Sequence, residues 1–215
     1  MTYRREESIP EGWEYKQIKE IGEVVGGGTP KTTVKEYWNG DISWITPKDL
    51  SNYKQRYIYK GERSITLEGL ENSSAKLLPK GTVLFSSRAP IGYVAIAGKE
   101  LCTNQGFKSI VCNPEVANNE FVYYLMKYNV QEIKQIASGS TFREISGGML
   151  KEFYVLIPPL EEQKVIAKIL ADLDKKIEIN NKIIKKLEKL AQAIFKHWFI
   201  DFEFPNENGE PYKSS

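Results

Sequence analysis

The chain has 215 residues and a formal net charge of +2, with 41% hydrophobic and 27% charged residues. That length supports one good core, or one domain plus an extension, and the composition is ordinary for a globular chain. A near-neutral balance leaves any nucleic-acid surface to local clustering, and two cysteines are too few for a disulfide scaffold.

Cys102 and Cys112 each sit in an apolar, strand-like run, which fits a reduced intracellular protein. The opening "MTYRREESIPEGWEY" lacks the apolar core of an export signal, and no apolar run is long enough to cross a bilayer. The expectation is a cytoplasmic protein with no membrane partner.

In chain order, "KQIKEIGEVVGGGTPKTT" carries an apolar stripe at Ile18, Ile21, Val24 and Val25, broken by three glycines. "DISWITPKDL" reads as a short strand over residues 42–46 that ends at Pro47. Residues 81–87 and 92–97 have the β-branched and aromatic content of buried strands, and residues 106–112 alternate as a third. "NNEFVYYLMKYNVQEIKQIA" is helical, with Asn118 or Asn119 able to cap it and Phe121, Leu125 and Tyr128 on one face. "EFYVLIPP" supplies a last strand, stopped by Pro158 and Pro159. Strands interspersed with a few helices predict an α+β (α/β) domain over residues 1–157.

Residues 161–199 contain neither proline nor glycine. Ile166, Leu170, Leu173, Ile177, Asn180, Ile184, Leu187, Ala191, Ile194 and Trp198 recur at alternating steps of four and three. Such a seam, sustained over roughly five heptads, predicts one long coiled-coil α-helix over residues 158–200, roughly 58 Å long at 1.5 Å per residue. A long amphipathic helix lying on its own domain is the alternative. Glu161, Glu162, Asp172 and Asp174 crowd the first half and Lys182, Lys185, Lys186, Lys189 and Lys196 the second, matching the helix macrodipole. Asn180 interrupts the seam, either to reward one register through a polar partner or to loosen it towards water. Residues 201–215 form a polar, turn-rich tail.

Catalytic chemistry is hard to assemble from this inventory. One histidine, His197, and two separated cysteines make a zinc site or a His-based nucleophile pair unsupported. "GGGTPKTT" lacks the Gly-Lys-Ser/Thr end of a phosphate loop, because Thr29 and Pro30 follow Gly28. "LIPPL" has the shape of an amino-methyltransferase loop, but Ile157 stands where a hydrogen-bonding residue must hold the target amine. The expectation is a non-catalytic chain with no metal.

Recognition fits better. "TPKDLSNYKQRYIYKGER" holds Lys48, Asn52, Lys54 and Arg56 among tyrosines; "SSRAPIG" offers Arg88, "TNQGFKS" Asn104, Gln105 and Lys108, and "SGSTFRE" Thr141 and Arg143. Arginine can bind guanine bidentately and Asn or Gln adenine, while lysines and hydroxyls anchor phosphates. The residues nominated to touch DNA are Lys48, Asn52, Lys54, Arg56, Arg88, Asn104, Gln105, Thr141 and Arg143.

Longer segments carry a family likeness. "IPEGWEYKQIKEIGEVVGGGTPKT", "YWNGDISWITPKDL", "SSAKLLPKGTVLFSSRAPIGYVAIA", "TNQGFKSIV", "ASGSTFREISGGMLKEFYVLIPPLEEQKVIAKILADLDKKIEINNKII" and "LEKLAQAIFKHWFIDFEFPNENGEPYKSS" together resemble the specificity subunits of Type I restriction-modification systems. The resemblance implies that residues 9–157 form a target recognition domain reading a few base pairs of double-stranded DNA. It implies that residues 161–199 form the helix that spaces recognition domains and docks modification (methyltransferase) subunits. Family members usually carry two domains and two helices, so this sequence corresponds to a half subunit, natural or truncated. A half subunit can restore the arrangement as a homodimer with antiparallel helices, reading an interrupted palindrome. No cofactor is expected on this chain: S-adenosylmethionine and ATP belong on partner modification and restriction subunits. Two rivals remain open here, a solitary DNA-modifying enzyme fragment and a coiled-coil decoy that binds modification subunits without reading DNA.

Overall fold

Alternation in "TVLFSS" places successive side chains on opposite faces, yet Val83–Ser87 are all buried, so this strand must be covered on both sides. A computed structural model of the chain, describing residues 9–139 and 143–214, shows how. The elements in chain order are β1 (Glu14–Gln17), α1 (Ile18–Ile21), β2 (Gly22–Gly26), β3 (Trp38–Ile45), β4 (Tyr57–Ile58), β5 (Arg63–Ile65), α2 (Leu67–Glu71), β6 (Val83–Ser87), β7 (Ile91–Ala97), β8 (Cys102–Thr103), β9 (Lys108–Cys112), α3 (Asn119–Ile136), α4 (Gly147–Lys151), β10 (Tyr154–Ile157) and α5 (Leu160–Phe195). The order β2-β9-β6-β7-β4 makes a five-stranded sheet, β5-β3-β8 a three-stranded one, and β1 pairs with β10. Neighbours are antiparallel except β4 with β7 and β3 with β8, which are parallel.

On one face of the large sheet Val83, Phe85, Ile96 and Ile110 pack with Phe121, Val122, Met126 and Ile133 of α3 and with Ile18 and Ile21 of α1. On the other, Leu84, Ala95 and Ala97 pack with Ile45, Leu50, Leu78 and Phe107. A third, smaller cluster joins Trp38, Trp44, Ile65 and Cys102 around the three-stranded sheet.

The mixed α/β reading holds, with two local differences. The stripe Ile18–Val25 is not one element: Ile18 and Ile21 belong to a single helical turn and Val24 to a strand. Gly22 lies where they meet, and a Cβ there would stand 2.5 Å from the Val111 carbonyl oxygen, so only glycine lets β2 pair this closely with β9. Helix α3 does begin after Asn118, whose side chain accepts the Phe121 N–H at 2.9 Å. Its buried arc, however, centres on Val122, Met126, Asn129 and Ile133. Tyr128 falls roughly 130° from the centre of that arc at 100° per residue and is 74% exposed.

The chain divides into two compact units, Met1–Lys168 and Ile169–Ser215. The prolines therefore end a strand, whereas the packing unit continues into the first turns of α5, where Gln163 and Ala167 are buried. Gln163 explains the anchorage. Its amide oxygen accepts the Asn118 N–H at 2.9 Å, and its amide nitrogen donates to the carbonyls of Val116 at 3.1 Å and Pro158 at 2.9 Å. In the second unit, residues Lys196–Ile200 continue α5 as a wider π-helical turn, and the tail folds back through a Pro205–Pro211 bridge with Phe204 stacked on Tyr212.

Replacing the buried amide by an apolar side chain of similar size leaves one N–H and two carbonyls without partners. Gln163→Leu is expected to lower unfolding free energy by about 2–3 kcal/mol, measured by urea denaturation.

Candidate nucleic-acid interface

Main-chain hydrogen bonds gather four segments at one end of the large sheet. Ser87 N–H donates to the Gly106 carbonyl at 2.7 Å, Ile145 N–H to Ser87 at 3.0 Å, Gly27 N–H to Phe107 at 3.3 Å and Gly28 N–H to Thr103 at 2.9 Å. The glycine run that is not a phosphate loop acquires a packing reason. A Cβ on Gly27 would lie 2.0 Å from the Asn104 carbonyl oxygen, and one on Gly28 2.3 Å from the Ser74 carbonyl carbon. Two indoles hold the same loop: Trp44 Nε1 donates to Gly28 at 2.9 Å and Trp38 Nε1 to Lys31 at 3.2 Å. The Arg63 guanidinium lies 3.5 Å from the centre of the Trp38 ring.

The polar side chains meet on this frame. Arg88 Nη1 reaches Glu144 Oε2 at 3.2 Å, and Lys108 Nζ reaches Glu144 Oε1 at 3.5 Å. Arg88 and Glu144 also form a main-chain bridge. Lys108 Nζ donates to the Gln105 carbonyl at 3.4 Å, and the Gln105 side chain accepts from the Thr29 hydroxyl. Asn104 Oδ1 accepts the Gly106 N–H at 2.9 Å, closing the turn that presents Gln105. Arg143 is exposed beside Glu144, while Thr141 lies outside the described residues. Two members escaped the nomination: Glu144, and Thr29 in the glycine run. Lys108 was seen as a loop residue but not chosen. No local signal marks Glu144, since its partner Arg88 is distant in sequence.

The "TPKDLSNYKQR" loop starts from a capping box in which Asp49 Oδ2 accepts from both N–H and hydroxyl of Thr46 at 2.7 Å. Asp49 Oδ1 takes the Glu62 N–H at 2.7 Å, and the Lys48 ammonium meets Glu62 at 2.8 Å. Asn52 adopts φ 64°, a left-handed conformation that asparagine tolerates, and Asn52 and Lys54 are exposed. Arg56 lies apart from this group. Its Nη1 donates to the Tyr124 hydroxyl at 3.0 Å, its Nη2 stands 3.7 Å from Glu120, and only 17% of its side chain is exposed. It closes the loop onto α3. The Tyr57 hydroxyl donates to Glu120 in the same cluster; burial, with Glu120 beside it, pushes that phenol up to about 12.

Burial pushes the Cys102 thiol up to about 11 and the Cys112 thiol up to about 12, so both stay protonated near neutrality. Among the described residues no three His, Cys, Asp or Glu side chains gather as a metal site, and no helix is long and apolar enough to cross a membrane. His197 is exposed in the π-helical turn.

Along α5 the seam is apolar and largely uncovered. Ile166 and Leu170 are half-buried, whereas Leu173, Ile177, Asn180, Ile184, Leu187, Ala191 and Ile194 are exposed. Ile179, Ile183 and Leu190 widen the stripe. Trp198 falls in the π-helical turn, where the heptad step no longer applies.

The family model described as "Type I restriction modification DNA specificity domain" matches residues 10–189. The chain is similar to the Type I restriction enzyme MjaIX specificity subunit of Methanocaldococcus jannaschii, with 52% identity covering 93% of this chain and 46% of that protein. It is also similar to the EcoR124I/EcoR124II specificity subunit of Escherichia coli, with 28% identity covering 89% of this chain and 48% of that one. The crystal structure of the HsdS subunit from Thermoanaerobacter tengcongensis shares its fold, with a TM-score of 0.63 and 21% identity over 92% of this chain and 47% of that one. The chain thus spans about half the length of the curated relatives it matches.

The folded chain holds its thiol and Tyr57 protons more tightly than an unfolded chain, whose thiols titrate near 9 and phenols near 10. Their contribution to stability is therefore intact below pH 9 and is lost as pH rises from about 9 to about 12, which thermal melts across that range will register. Iodoacetamide at pH 8 is expected to label neither cysteine until denaturant is added.

Proposed function

The chain belongs to the Type I restriction-modification DNA specificity family, and we propose that it reads one half of a bipartite DNA target for partner modification and restriction subunits. The observation that supports this most directly is that the family match runs through both the loop-bearing domain and the heptad helix. The loop end supplies Lys48, Asn52, Lys54, Arg88, Gln105 and Arg143, the residue types that contact phosphates and base edges. In this reading the chain is non-catalytic. Methyl transfer from S-adenosylmethionine and ATP-driven cleavage take place on the partner subunits.

The exposed seam supports a homodimer built on antiparallel helices. In antiparallel pairing the eight seam positions from Leu170 to Ile194, all within the α-helical part, match about Lys182: Leu170 faces Ile194, Leu173 faces Ala191, Ile177 faces Leu187 and Asn180 faces Ile184. Each Asn180 then packs opposite the partner's Ile184, and the two Asn180 layers are neighbours on either side of the two-fold axis, so the seam carries its polar positions at its centre. Two identical domains on such a spacer read an interrupted palindrome.

Co-expression with the cognate modification subunit, followed by genome-wide mapping of methylated adenines, is expected to return two identical half-sites around a fixed gap. An asymmetric motif overturns the dimer, and complex formation without any methylated motif favours the decoy reading. Sedimentation equilibrium at micromolar concentration is expected to give the dimer mass for the native chain. The double variant Ile177→Asp, Leu187→Asp, which sets carboxylates against each other across the seam, is expected to give the monomer mass. A native monomer would falsify the pairing.

A further inference from the structure

Three side chains at the loop end form a closed electrostatic unit, and its geometry treats its two cations differently. Glu144 presents one oxygen to Arg88 and the other to Lys108. The Lys108 side chain is only 17% exposed, and its ammonium is also tied to the Gln105 carbonyl. It is spent inside the cluster. Arg88 is 38% exposed, with a single Nη1 contact to Glu144. Its backbone follows directly from the buried strand β6 and is bridged to Glu144, so both ends of the pair are fixed.

From this asymmetry we propose that Glu144 is a positioning residue that presents Arg88 to a base edge, making Arg88 a specificity-determining contact and not a phosphate clamp; this rests on the DNA-reading function above. The physical grounds are two. A guanidinium has five N–H donors in a rigid plane, and holding one corner on a carboxylate orients the remaining edge as a two-pronged donor, the shape that guanine O6 and N7 accept. A carboxylate at the centre of the cluster also repels phosphate, so this point on the surface disfavours the DNA backbone while tolerating the neutral acceptors of a base. Lys108 offsets part of the Glu144 charge, which keeps the pair from repelling DNA altogether.

The test is selection of a randomised 40-base-pair duplex library by the full chain, alone and assembled with its modification subunits. The native chain, Arg88→Lys, Arg88→Ala, Glu144→Ala and the double alanine variant are compared, with circular dichroism to establish that each is folded. Arg88→Lys keeps the charge but loses the fork. It is expected to lose roughly 5- to 150-fold discrimination at one base pair, with the salt dependence of binding unchanged. Glu144→Ala is expected to lose discrimination at that same base pair, and the double variant to lose no more than Arg88→Ala alone. If Arg88→Ala instead weakens all sequences equally and lowers the salt slope by about one, Arg88 is a phosphate contact and the proposal is overturned. Loss at a different base pair in Glu144→Ala overturns the positioning role. A native chain that enriches no sequence in either state removes the DNA-reading function itself, an outcome distinct from the other two.

Discussion

One buried amide sets the terms for the first compact unit. Gln163 fills its hydrogen-bonding capacity on three backbone groups from two different places in the sequence: the turn before α3 and the prolines that close β10. Helix α3 packs Phe121, Val122, Met126 and Ile133 into the main core, and its N-cap Asn118 is the residue whose N–H Gln163 accepts. A long helix with an exposed apolar stripe has little reason of its own to begin at a given place. Here its start is fixed because buried polar groups must be paired, and one side chain pairs three of them. Packing of Ala167 and Ile166 against the same core then follows.

The near-neutral balance of the chain, a net charge of +2, is repeated locally at its ion pairs. Lys48 is matched by Glu62, and Arg88 and Lys108 by Glu144, so these three cations are compensated locally. An exposed pair such as Lys48 with Glu62 contributes little to stability.

How much of this was legible in the sequence follows the range of the interactions. Strands β6, β7, β9 and β10 and the capped start of α3 are local patterns of period, β-branching and capping, and each lies where the sequence put it. The heptad is also local, a repeat within one segment. Strand β2 was not read because the chain changes period at Gly22, where the need is to approach β9 and not to turn. Tyr128 was misplaced because the period of α3 is plain, but its phase is set by the sheet beneath it. Arg56 reads like its neighbours Lys48 and Lys54, and only the tertiary fold brings Tyr124 and Glu120 to meet it. Glu144 and Gln163 matter through partners dozens of residues away, and no periodicity reports such pairs.

The four loop segments are held to each other largely through main-chain atoms: Ser87 to Gly106, Ile145 to Ser87, Gly27 to Phe107 and Gly28 to Thr103. Every residue type except proline carries the same donor and acceptor there. Apart from the glycines, whose missing side chains are required, the exposed positions on these loops are free to mutate without unfastening the frame. Substitutions can then accumulate there one at a time, each intermediate remaining folded. A scaffold of this kind separates inheritance of the fold from drift of the surface it carries.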